Sequence, residues 1–549
     1  MNQRTFGEAD SVDFVVVGSG AAGGVLAKEL STSGFNVVVM EQGPWQQPAQ
    51  FTHDELAVER ELAMLNRAFE PNQTFRHSPA DQPKLNVGRG LLYRRAVGGS
   101  SVHFAANYWR FRPIDFKEQS KWGSIGGTGF ADWPITYEEL EPYYTKVDWE
   151  VGVSGSPGPN DPARSRPYPM PPLPNKSSGV ILERAAKALG LQAQVAPMAI
   201  ASQPYDGRAA CGACGHCVYY GCEFGAKSSS LVTMIPKAVA TGRCEIRTES
   251  TVIRIETNAK GRATGVVYVD KQGREQRQSA RAVVVAANGA ETTRLLLVST
   301  SPAFPHGLAN SSGNVGRYLM FNGYSYTTGR FEHPLNEYKG ACDSRIVMDY
   351  YDADPKRGFY GGGGIDARFP YGPIAFAVNG LPDDMPSWGL EYKRALREYY
   401  SHSVRFMSHL TSLPVASNAI TLDANHRDRW GRPGFGLTYQ DHPDDMSTKQ
   451  WFRDKTQAMM EAAGATRVWN YPVLPLDGGV QLLGTARMGN DPRDSVVDRY
   501  HRAHDVPNLF VCDGSSFVTS GRGQPTMTIQ ALAFRAAEHV ARFARSNAI

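Results

Sequence analysis

The sequence predicts an α/β protein in which a Rossmann-like domain is interleaved with a second, α+β domain. A β-branched strand, a glycine-rich turn and a helix follow one another over residues 13–30, and the same order returns over residues 281–297. Between them, glycine and proline punctuate residues 116–230 and leave room only for short helices. At 549 residues the chain is too long for one simple core, so pieces of two domains are expected to alternate along it.

The N-terminal element has the spacing of a dinucleotide-binding turn. Its strand is followed by Gly18, Gly20 and Gly23, and the next strand ends at Glu41. Gly18 makes the tight turn, Gly20 admits a pyrophosphate to the helix N-terminus, and Gly23 allows the helix to pack closely on the strand. Glu41 is placed to accept hydrogen bonds from the adenosine ribose. These residues alone leave NAD, FAD and a plain turn open.

A second glycine turn lies in the stretch Arg-Ala-Val-Gly-Gly-Ser-Ser-Val-His-Phe at residues 95–104. Gly98 and Gly99 let the backbone lie against a flat ligand, and the hydroxyl of Ser100 can donate to a phosphate oxygen. His103 follows four positions after Gly99, which places it close to the ring of a flavin if FAD binds here. By itself, the stretch is equally consistent with a glycine turn between two strands.

Four of the seven cysteines crowd into residues 211–222, at Cys211, Cys214, Cys217 and Cys222. This is ligand spacing for a thiolate-bound metal centre, and its Cys-x2-Cys-x2-Cys part resembles the runs that hold iron-sulfur clusters. A structural zinc ion needs the same thiolates, with His216 as a further ligand, so the spacing leaves both metals open. The clustering does not indicate a disulfide framework.

Charge and hydropathy exclude several function classes. The net charge of +4 comes from 58 basic and 54 acidic residues, so neither nucleic acid nor an anionic membrane surface is expected as a partner. No run approaches the roughly 18 to 20 consecutive apolar residues of a membrane span. Residues 1–13 are too polar for the centre of a signal peptide. The sequence therefore predicts a soluble protein that is not exported on its own signal.

The glycine fingerprint, the Val-Gly-Gly-Ser-Ser stretch at residues 97–101 and two later segments, residues 480–489 and 508–529, resemble the glucose-methanol-choline (GMC) oxidoreductases. Members of this family bind FAD, so the resemblance implies an FAD-binding oxidoreductase here. Residues 251–269 and 281–297 are similar to the family's second FAD stretch. A βαβ packing unit without a ligand is the other interpretation of these last two segments.

The resemblance also implies how the two domains divide along the chain. The FAD-binding domain would comprise residues 1–115, 229–320 and 484–549. The substrate domain would comprise residues 116–228 and 321–483, with the cysteine cluster at 211–222. In this family the substrate domain is built on an antiparallel sheet, for which residues 404–406 and 419–422 are strand candidates.

Three further residues receive roles from the resemblance. Val252 would meet the adenine through its backbone, and Asp513 would meet the FAD from a strand and turn over residues 508–516. In some members a histidine at the position of His103 is joined covalently to the flavin 8α-methyl. A core histidine bonded to the backbone is the other interpretation of His103.

The resemblance places Gln481 and Gln524 at the two catalytic positions, where the family ordinarily has a histidine and either an asparagine or a histidine. Hydride leaves an alcohol carbon at a useful rate only if the hydroxyl proton leaves too, and a neutral imidazole is suited to accept that proton. Glutamine can orient a hydroxyl but is not a practical base. Four alternatives stay open: another base, an acidic substrate hydroxyl, a hydroxide-like water, or a nearby histidine such as His409 or His442.

One subgroup of the family resembles membrane-linked sugar and sugar-acid dehydrogenases and carries a cysteine cluster that holds a [3Fe-4S] centre. Cys211, Cys217 and Cys222 match that pattern best, and the additional Cys214 leaves a [4Fe-4S] centre open. The resemblance therefore implies a dehydrogenase that oxidises a hydroxyl group of a sugar, glycoside, sugar acid or other alcohol. Electrons would pass through the cluster to a cytochrome or quinone.

Relatives with such clusters work with a small export-chaperone-like subunit and a cytochrome subunit on the periplasmic face of the inner membrane. This chain would then reach the membrane only through a partner, and a cytoplasmic enzyme is the alternative. The glutamine at position 481 leaves two other functions open. These are a non-redox or lyase-type reaction on the same fold, and a catalytically silent electron-transfer subunit.

Overall fold

Two large sheets organise the chain. The computed structural model describes residues 3–7, 10–58, 73–86, 90–369 and 371–549. The first sheet has seven strands, and its parallel part contains, in spatial order, Cys244–Arg247, Val37–Met40, Val12–Val17, Glu275–Val285 and Leu509–Val511. These strands are rich in buried valine because helices and other segments cover both faces of the sheet.

The long strand Glu275–Val285 takes part in two kinds of pairing. Its second half runs parallel to Val12–Val17, while its first half pairs antiparallel with Ala263–Val269. Ala263–Val269 in turn pairs antiparallel with Thr251–Thr257. An antiparallel ribbon therefore extends from the parallel sheet and carries Val252 to the same end as the fingerprint turn.

Four helices pack together on one side of the parallel sheet: Ala21–Thr32 and Met234–Ala240 contact its strands, Thr526–Arg545 packs on Ala21–Thr32, and Tyr137–Val147 packs on Thr526–Arg545. Ala21–Thr32 begins directly after the glycine turn, and Thr526–Arg545 follows Gln524. Further α-helices of the described residues are Glu118–Trp122, Ser177–Ala188, Asn288–Val298, Pro373–Asn379, Gly389–His402 and Pro443–Ala462. Within the described ranges, no helix is both long enough and apolar enough to cross a membrane.

The second large sheet has six antiparallel strands. In spatial order they are Arg467–Asn470, Gly323–Arg330, Ser403–Leu410, Gly363–Arg368, Arg345–Val347 and Ala193–Val195. Phe406 and Leu410 point to one face, where the helix Pro443–Ala462 buries them against Phe452 and Met459. Because side chains alternate along a strand, Met407 and His409 point to the other face, toward the parallel sheet.

A smaller sheet shows where one strand prediction needs correction. Residues 404–406 lie in the six-stranded antiparallel sheet, as expected. Residues 419–422 do form a strand, within Ala419–Arg427, but they belong to a separate sheet. There the strand pairs with Pro433–Thr438, which runs parallel to Gln73–Arg76; the last strand of this sheet is Lys84–Leu85. The strand's direct partner is thus its neighbour in sequence, and residues nearer the N-terminus complete the sheet.

The predicted fold class is confirmed, because a Rossmann-like parallel sheet and an antiparallel sheet with its own helices are both present. A two-stranded pairing of Gly90–Leu91 with Gly478–Gly479 completes the strands of the described residues. The division of the chain at residues 115, 228, 320 and 483 stays a prediction.

Candidate active site

A cavity of about 410 Å³ lies between the two large sheets. Val17, Met40 and Ala286 line it at the carboxyl ends of the parallel strands, and Tyr324 and Met407 line it from the six-stranded sheet. Ligands of doubly wound sheets bind at the carboxyl ends of the strands. The side of the cavity formed by the parallel strands is therefore the candidate nucleotide site, and the side formed by the six-stranded sheet is the candidate substrate site.

Most of the residues predicted from sequence converge on this cavity. Those that line it are Gly18, Gly20, Glu41, Gly99, Ser100, His103, Val252, Gln481, Asp513 and Gln524. Gly23 and Gly98 lie directly behind the lining, where a Cβ on Gly23 would overlap the carbonyl oxygen of Gly18. The four clustered cysteines do not line the cavity, but Val218 and Tyr219 from the same loop do.

The two glycine turns touch each other at the floor of the cavity. Gly99 adopts a φ of +56°, and a Cβ there would lie 2.8 Å from the Cα of Gly20. Real side chains do not approach so closely, so this position requires glycine. The contact leaves bare backbone on both turns, which is the surface that a dinucleotide needs in order to approach the helix N-terminus.

Ser19 links the two turns and was not among the residues singled out from sequence. Its hydroxyl accepts a hydrogen bond from the amide of Gly98 at 3.1 Å and donates to Glu41 at 2.6 Å. The carboxylate of Glu41 also accepts from the backbone amides of Ser19 and Gly43. Burial raises the pKa of Glu41, and these hydrogen bonds oppose that effect. These hydrogen bonds hold Glu41, the residue predicted to bind the ribose, against the fingerprint turn.

Three other predicted FAD contacts already have protein partners. The hydroxyl of Ser100 accepts from the amide of Arg94 at 3.0 Å, and the carbonyl of Val252 accepts from Arg432 at 3.0 Å. Asp513 accepts from the hydroxyl of Thr292 and the amide of Ser515. These bonds fix each group at the cavity wall.

His103 lies at the cavity as a neutral imidazole. Burial, with the nearby charges of Arg94 and Lys227, lowers its pKa to about 3. Within the described structure its Nδ1 is buried without a hydrogen-bond partner. Its backbone carbonyl accepts from the amide of Tyr219 at 2.9 Å, which ties the cavity wall to the cysteine loop.

The cavity-facing side of the six-stranded sheet brings Asp366 and His409 together. Asp366 pairs with Met407 across the strands, and His409 pairs with Gly364. Asp366 and His409 are therefore diagonal neighbours on one face, within reach of each other. Nε2 of His409 lies 2.6 Å from the carboxylate of Asp366.

Gln524 extends this pair into a chain of three side chains. Its amide nitrogen lies 2.9 Å from Nδ1 of His409. Because Asp366 accepts the proton on Nε2, Nδ1 is the ring nitrogen with a lone pair, and the amide of Gln524 donates to it. Burial lowers the pKa of His409 and the charge of Asp366 opposes this, so the imidazole is neutral at pH 7.

Close packing positions the imidazole of His409. The rings of Trp109 and Tyr324 meet it edge to face, with centroids at 5.1 and 5.6 Å. A Cβ on Gly523 would overlap the Cβ of His409, so only glycine lets the stretch before Gln524 approach this closely. His442, the other histidine that the sequence left open, instead caps the helix Pro443–Ala462 and does not line the cavity.

Asp366 is the charged anchor of this region. It is fully buried and accepts hydrogen bonds from Asn107, Arg368 and His409. Arg368 and His409 hold the pKa of Asp366 at about 2, so it remains a carboxylate. Arg368 also pairs with Asp343 at 3.2 Å. No sequence spacing pointed to these residues, since their contacts depend on strand register.

Family models described as GMC oxidoreductase match residues 12–320 and residues 414–533. Together they span both sides of the cavity. The chain belongs to the GMC oxidoreductase family. It is an FAD-dependent oxidoreductase, and the resemblance seen in its sequence is confirmed.

Relatives of nearly the same length support the assignment. The chain is 35% identical to the 2-methyl-1,2-propanediol dehydrogenase of Mycolicibacterium austroafricanum, over 97% of this chain and 96% of that one. It is 29% identical to the fructose dehydrogenase large subunit of Gluconobacter japonicus, over 97% and 98%. A variant of the formate oxidase of Aspergillus oryzae has the same fold, with a TM-score of 0.65 at 16% identity and coverage of 99% and 100%.

The cavity of this GMC oxidoreductase fits FAD on observations of its own residues. The glycine turns expose backbone where the dinucleotide would lie. Three lining residues hold buried polar atoms that have no partner in the described part of the chain: Nδ1 of His103, Oδ1 of Asn107 and Oε1 of Gln481. Such atoms are destabilising unless a ligand or water satisfies them.

The cysteine loop lies behind His103 and surrounds a buried cation. Lys227 donates to the carbonyls of Phe104, Cys217 and Tyr220 at 3.0, 2.6 and 2.6 Å. Burial raises the pKa of the Cys217 thiol to about 12; Lys227 lowers it, and Cys211, Cys214 and Cys222 raise it further. A charged amine on Lys227, which contacts the carbonyl of Cys217, would offset the negative charge of thiolate ligands. These residues fit a thiolate-bound cluster.

We expect Gly99→Ala to weaken FAD binding, because its Cβ must push apart two turns that both contact the cofactor. Overpacking of this kind costs about 1–3 kcal/mol, which corresponds to roughly 5- to 150-fold in an equilibrium constant. The flavin-to-protein absorbance ratio after purification measures the loss. Gly126→Ala is the matched control, since no atom lies within 4 Å of a Cβ at Gly126. Equal flavin content in the two variants would contradict the assignment.

Proposed function

We propose that this chain is a dehydrogenase that oxidises a hydroxyl group of a sugar, glycoside, sugar acid or other alcohol. We further propose that it passes electrons through an iron-sulfur cluster on residues 211–222 to a cytochrome or quinone. The names of its relatives, a diol dehydrogenase and a fructose dehydrogenase large subunit, support the substrate class.

The chain of Asp366, His409 and Gln524 carries the proposal. When bound, FAD accepts a hydride from the substrate carbon. The protein must then accept the hydroxyl proton, and His409 presents a neutral imidazole nitrogen toward the cavity. Nδ1 would be the acceptor, because Nε2 faces Asp366, and the amide of Gln524 that donates to Nδ1 would give way to the substrate hydroxyl. The proposal thus selects His409 as the base from the alternatives that stayed open because residues 481 and 524 are glutamines.

Asp366 stabilises the protonated form of His409. The carboxylate carries a full negative charge and contacts the imidazole directly, so an imidazolium would be paired where it forms. Arg368 and Asn107 also donate to this carboxylate, and the guanidinium of Arg368 lies 3.1 Å from Nε2 of His409. A triad of this form has the logic of a base oriented by a buried acid.

The two glutamines orient the substrate. Oε1 of Gln481 is buried at the cavity without a partner among the described residues, so it is available to accept a hydrogen bond from a hydroxyl. Gln524 carries both a donor and an acceptor beside Nδ1 of His409. A hydroxyl bound between these two amides would lie next to the base.

The proposed exit for electrons begins where His103 meets the cysteine loop. The hydrogen bond from Tyr219 to the carbonyl of His103 and the bond from Lys227 to Phe104 both join the flavin side of the cavity to the loop. A cluster is expected to use Cys211, Cys217 and Cys222, with Cys214 as a fourth ligand if it is [4Fe-4S]. Zinc in the same place is the competing assignment.

Partners and location follow the same proposal. The relative named fructose dehydrogenase large subunit supports an assembly of several subunits. We expect a small export-chaperone-like subunit and a cytochrome subunit, which would bring this chain to the periplasmic face of the inner membrane. A cytoplasmic enzyme with a soluble acceptor is the alternative.

His409→Gln is expected to lower kcat by about 10²–10⁴-fold with any substrate, because a general base contributes that much. Turnover with an artificial electron acceptor, together with anaerobic flavin reduction, measures the effect. His442→Gln is the control histidine outside the cavity. A flavin that no alcohol or sugar reduces in the wild type would favour the non-redox alternative, and unchanged turnover in His409→Gln would reject this base.

The pH dependence gives a second signature of the same base. The pKa of His409 lies below the ordinary value of 6.5, so kcat/KM is expected to be level above neutrality and to fall in acid as the imidazole is protonated. Asp366 raises that pKa, so Asp366→Asn should move the fall to lower pH while reducing kcat. A merely structural role for Asp366 would leave the position of the fall unchanged.

Iron analysis and electron paramagnetic resonance test the cluster. Anaerobically purified protein should contain three or four irons per chain, and Cys217→Ser should lose most of them. Cys244→Ala, which lies buried in the parallel sheet, should keep them. A [3Fe-4S] centre is paramagnetic when oxidised and a [4Fe-4S] centre when reduced. Protein that holds zinc but no iron would contradict the electron path.

Acid precipitation tests a covalent bond between His103 and FAD. A neutral imidazole with an unpartnered nitrogen at the cavity would replace one hydrogen of the flavin 8α-methyl: the methyl would lose a proton, the flavin would take up two electrons, and the acceptor proposed for turnover would remove them. We expect flavin to remain in the acid-precipitated wild type and to be released entirely from His103→Ala. The exposed residue His306 provides the control variant, His306→Ala. Full release from the wild type would reject the bond.

A further inference from the structure

Cys214, His216 and His53 form a group of potential metal ligands at the surface of the cysteine loop. One ligand atom of each residue lies within 4.8 Å of the others. Cys214 and His216 belong to the loop, while His53 comes from the segment that covers it. Two imidazoles and one thiolate are a donor set typical of zinc.

Hydrogen bonds leave one ring nitrogen of each histidine free for a metal. Nδ1 of His216 lies 3.0 Å from the carbonyl of Cys214 and donates to it, so Nε2 carries the lone pair. Nε2 of His53 lies 3.0 Å from the carboxylate of Glu223 and donates to it, so Nδ1 carries the lone pair. Carbonyl and carboxylate acceptors behind a histidine are the usual outer partners of metal-binding imidazoles.

Neighbouring segments hold both sides of this group in place. The amide of Gly340 donates to the carbonyl of Ala213 at 2.9 Å, next to Cys214. On the other side, the ring of Phe51 fills the space that a Cβ on Gly221 would need. The imidazoles of His53 and His216 are stacked, with centroids 4.3 Å apart. The three ligands therefore converge through contacts that do not involve a metal.

We propose that Cys214, His216 and His53 bind a single zinc ion, separate from any cluster held by the other cysteines. A tetrahedral zinc ion requires these donor atoms to lie about 3.3–3.6 Å apart and must lie in the plane of each imidazole. Because the two rings are stacked in parallel, zinc binding requires one imidazole to rotate out of the stack as the three donor atoms draw together. Water takes the fourth position, because His53 and Glu223 remain about 30% exposed. The ion joins the covering segment around residue 53 to the cysteine loop.

The zinc site gives Cys214 a role that the cluster does not need. The site itself is independent of the proposed function, since His53 takes no part in the cluster. Its corollary rests on the proposed function: with Cys214 bound to zinc, Cys211, Cys217 and Cys222 would hold a three-iron centre.

Metal analysis of the full-length, FAD-loaded protein tests the site after incubation with zinc chloride and removal of free metal. Wild type should keep about one zinc per chain, while His53→Gln and Cys214→Ser should keep at least tenfold less. His306→Gln, at an exposed histidine elsewhere, should keep the wild-type amount. Zinc X-ray absorption should show one sulfur at about 2.3 Å and two nitrogens at about 2.0 Å.

Several results would overturn the proposal. They are wild type without zinc, equal zinc in His53→Gln and wild type, zinc surrounded by sulfur alone, and loss of iron rather than zinc in Cys214→Ser. Iron content should be the same in His53→Gln and wild type. Absence of iron from protein that retains this zinc contradicts the electron path instead, so the two failures are distinguishable.

Discussion

The arrangement of the active site depends on the contact between two glycine turns that are far apart in sequence. A side chain at Gly99 would lie 2.8 Å from the Cα of Gly20, and Ser19 bonds both to Gly98 and to Glu41. The backbones of the two turns are in direct contact here, which sets the distance between the turns more closely than side chains could. The contact fixes the start of the segment that follows Gly99, and this segment runs along the whole cavity.

That segment connects three parts of the site. His103 lies at the cavity, and its carbonyl and that of Phe104 accept hydrogen bonds from the cysteine loop and Lys227. A few residues later, Asn107 donates to Asp366, the acid that orients His409. One short stretch of chain thus positions the candidate nucleotide site, the start of the proposed electron path and the proposed base. A shift at the glycine contact would be transmitted to all three, because the interior is closely packed.

Sequence predicted what local spacing determines. The fingerprint from Gly18 to Glu41 and the cysteine run are each complete within a few tens of residues, and most of the fingerprint lines the cavity. The pair of Asp366 and His409 could not be predicted in this way, because it depends on Gly364 lying opposite His409 across two strands. Likewise, residues 419–422 form a strand as expected, but it pairs with Pro433–Thr438 and shares a sheet with Gln73–Arg76 and not with residues 404–406. Pairing register is a property of the folded chain.

With His409 as the proposed base, a glutamine has a physical advantage at position 524, where the resemblance implies an asparagine or a histidine. Its amide donates to Nδ1 of His409 while the ring is neutral. When the ring gains a proton, the same amide can rotate and accept from Nδ1, because it carries both kinds of group. A second histidine here could become charged and would then repel the imidazolium. A neutral amide can therefore bond to the proposed base both before the substrate hydroxyl displaces it and after the proton has been transferred, while Asp366 provides the compensating charge at Nε2.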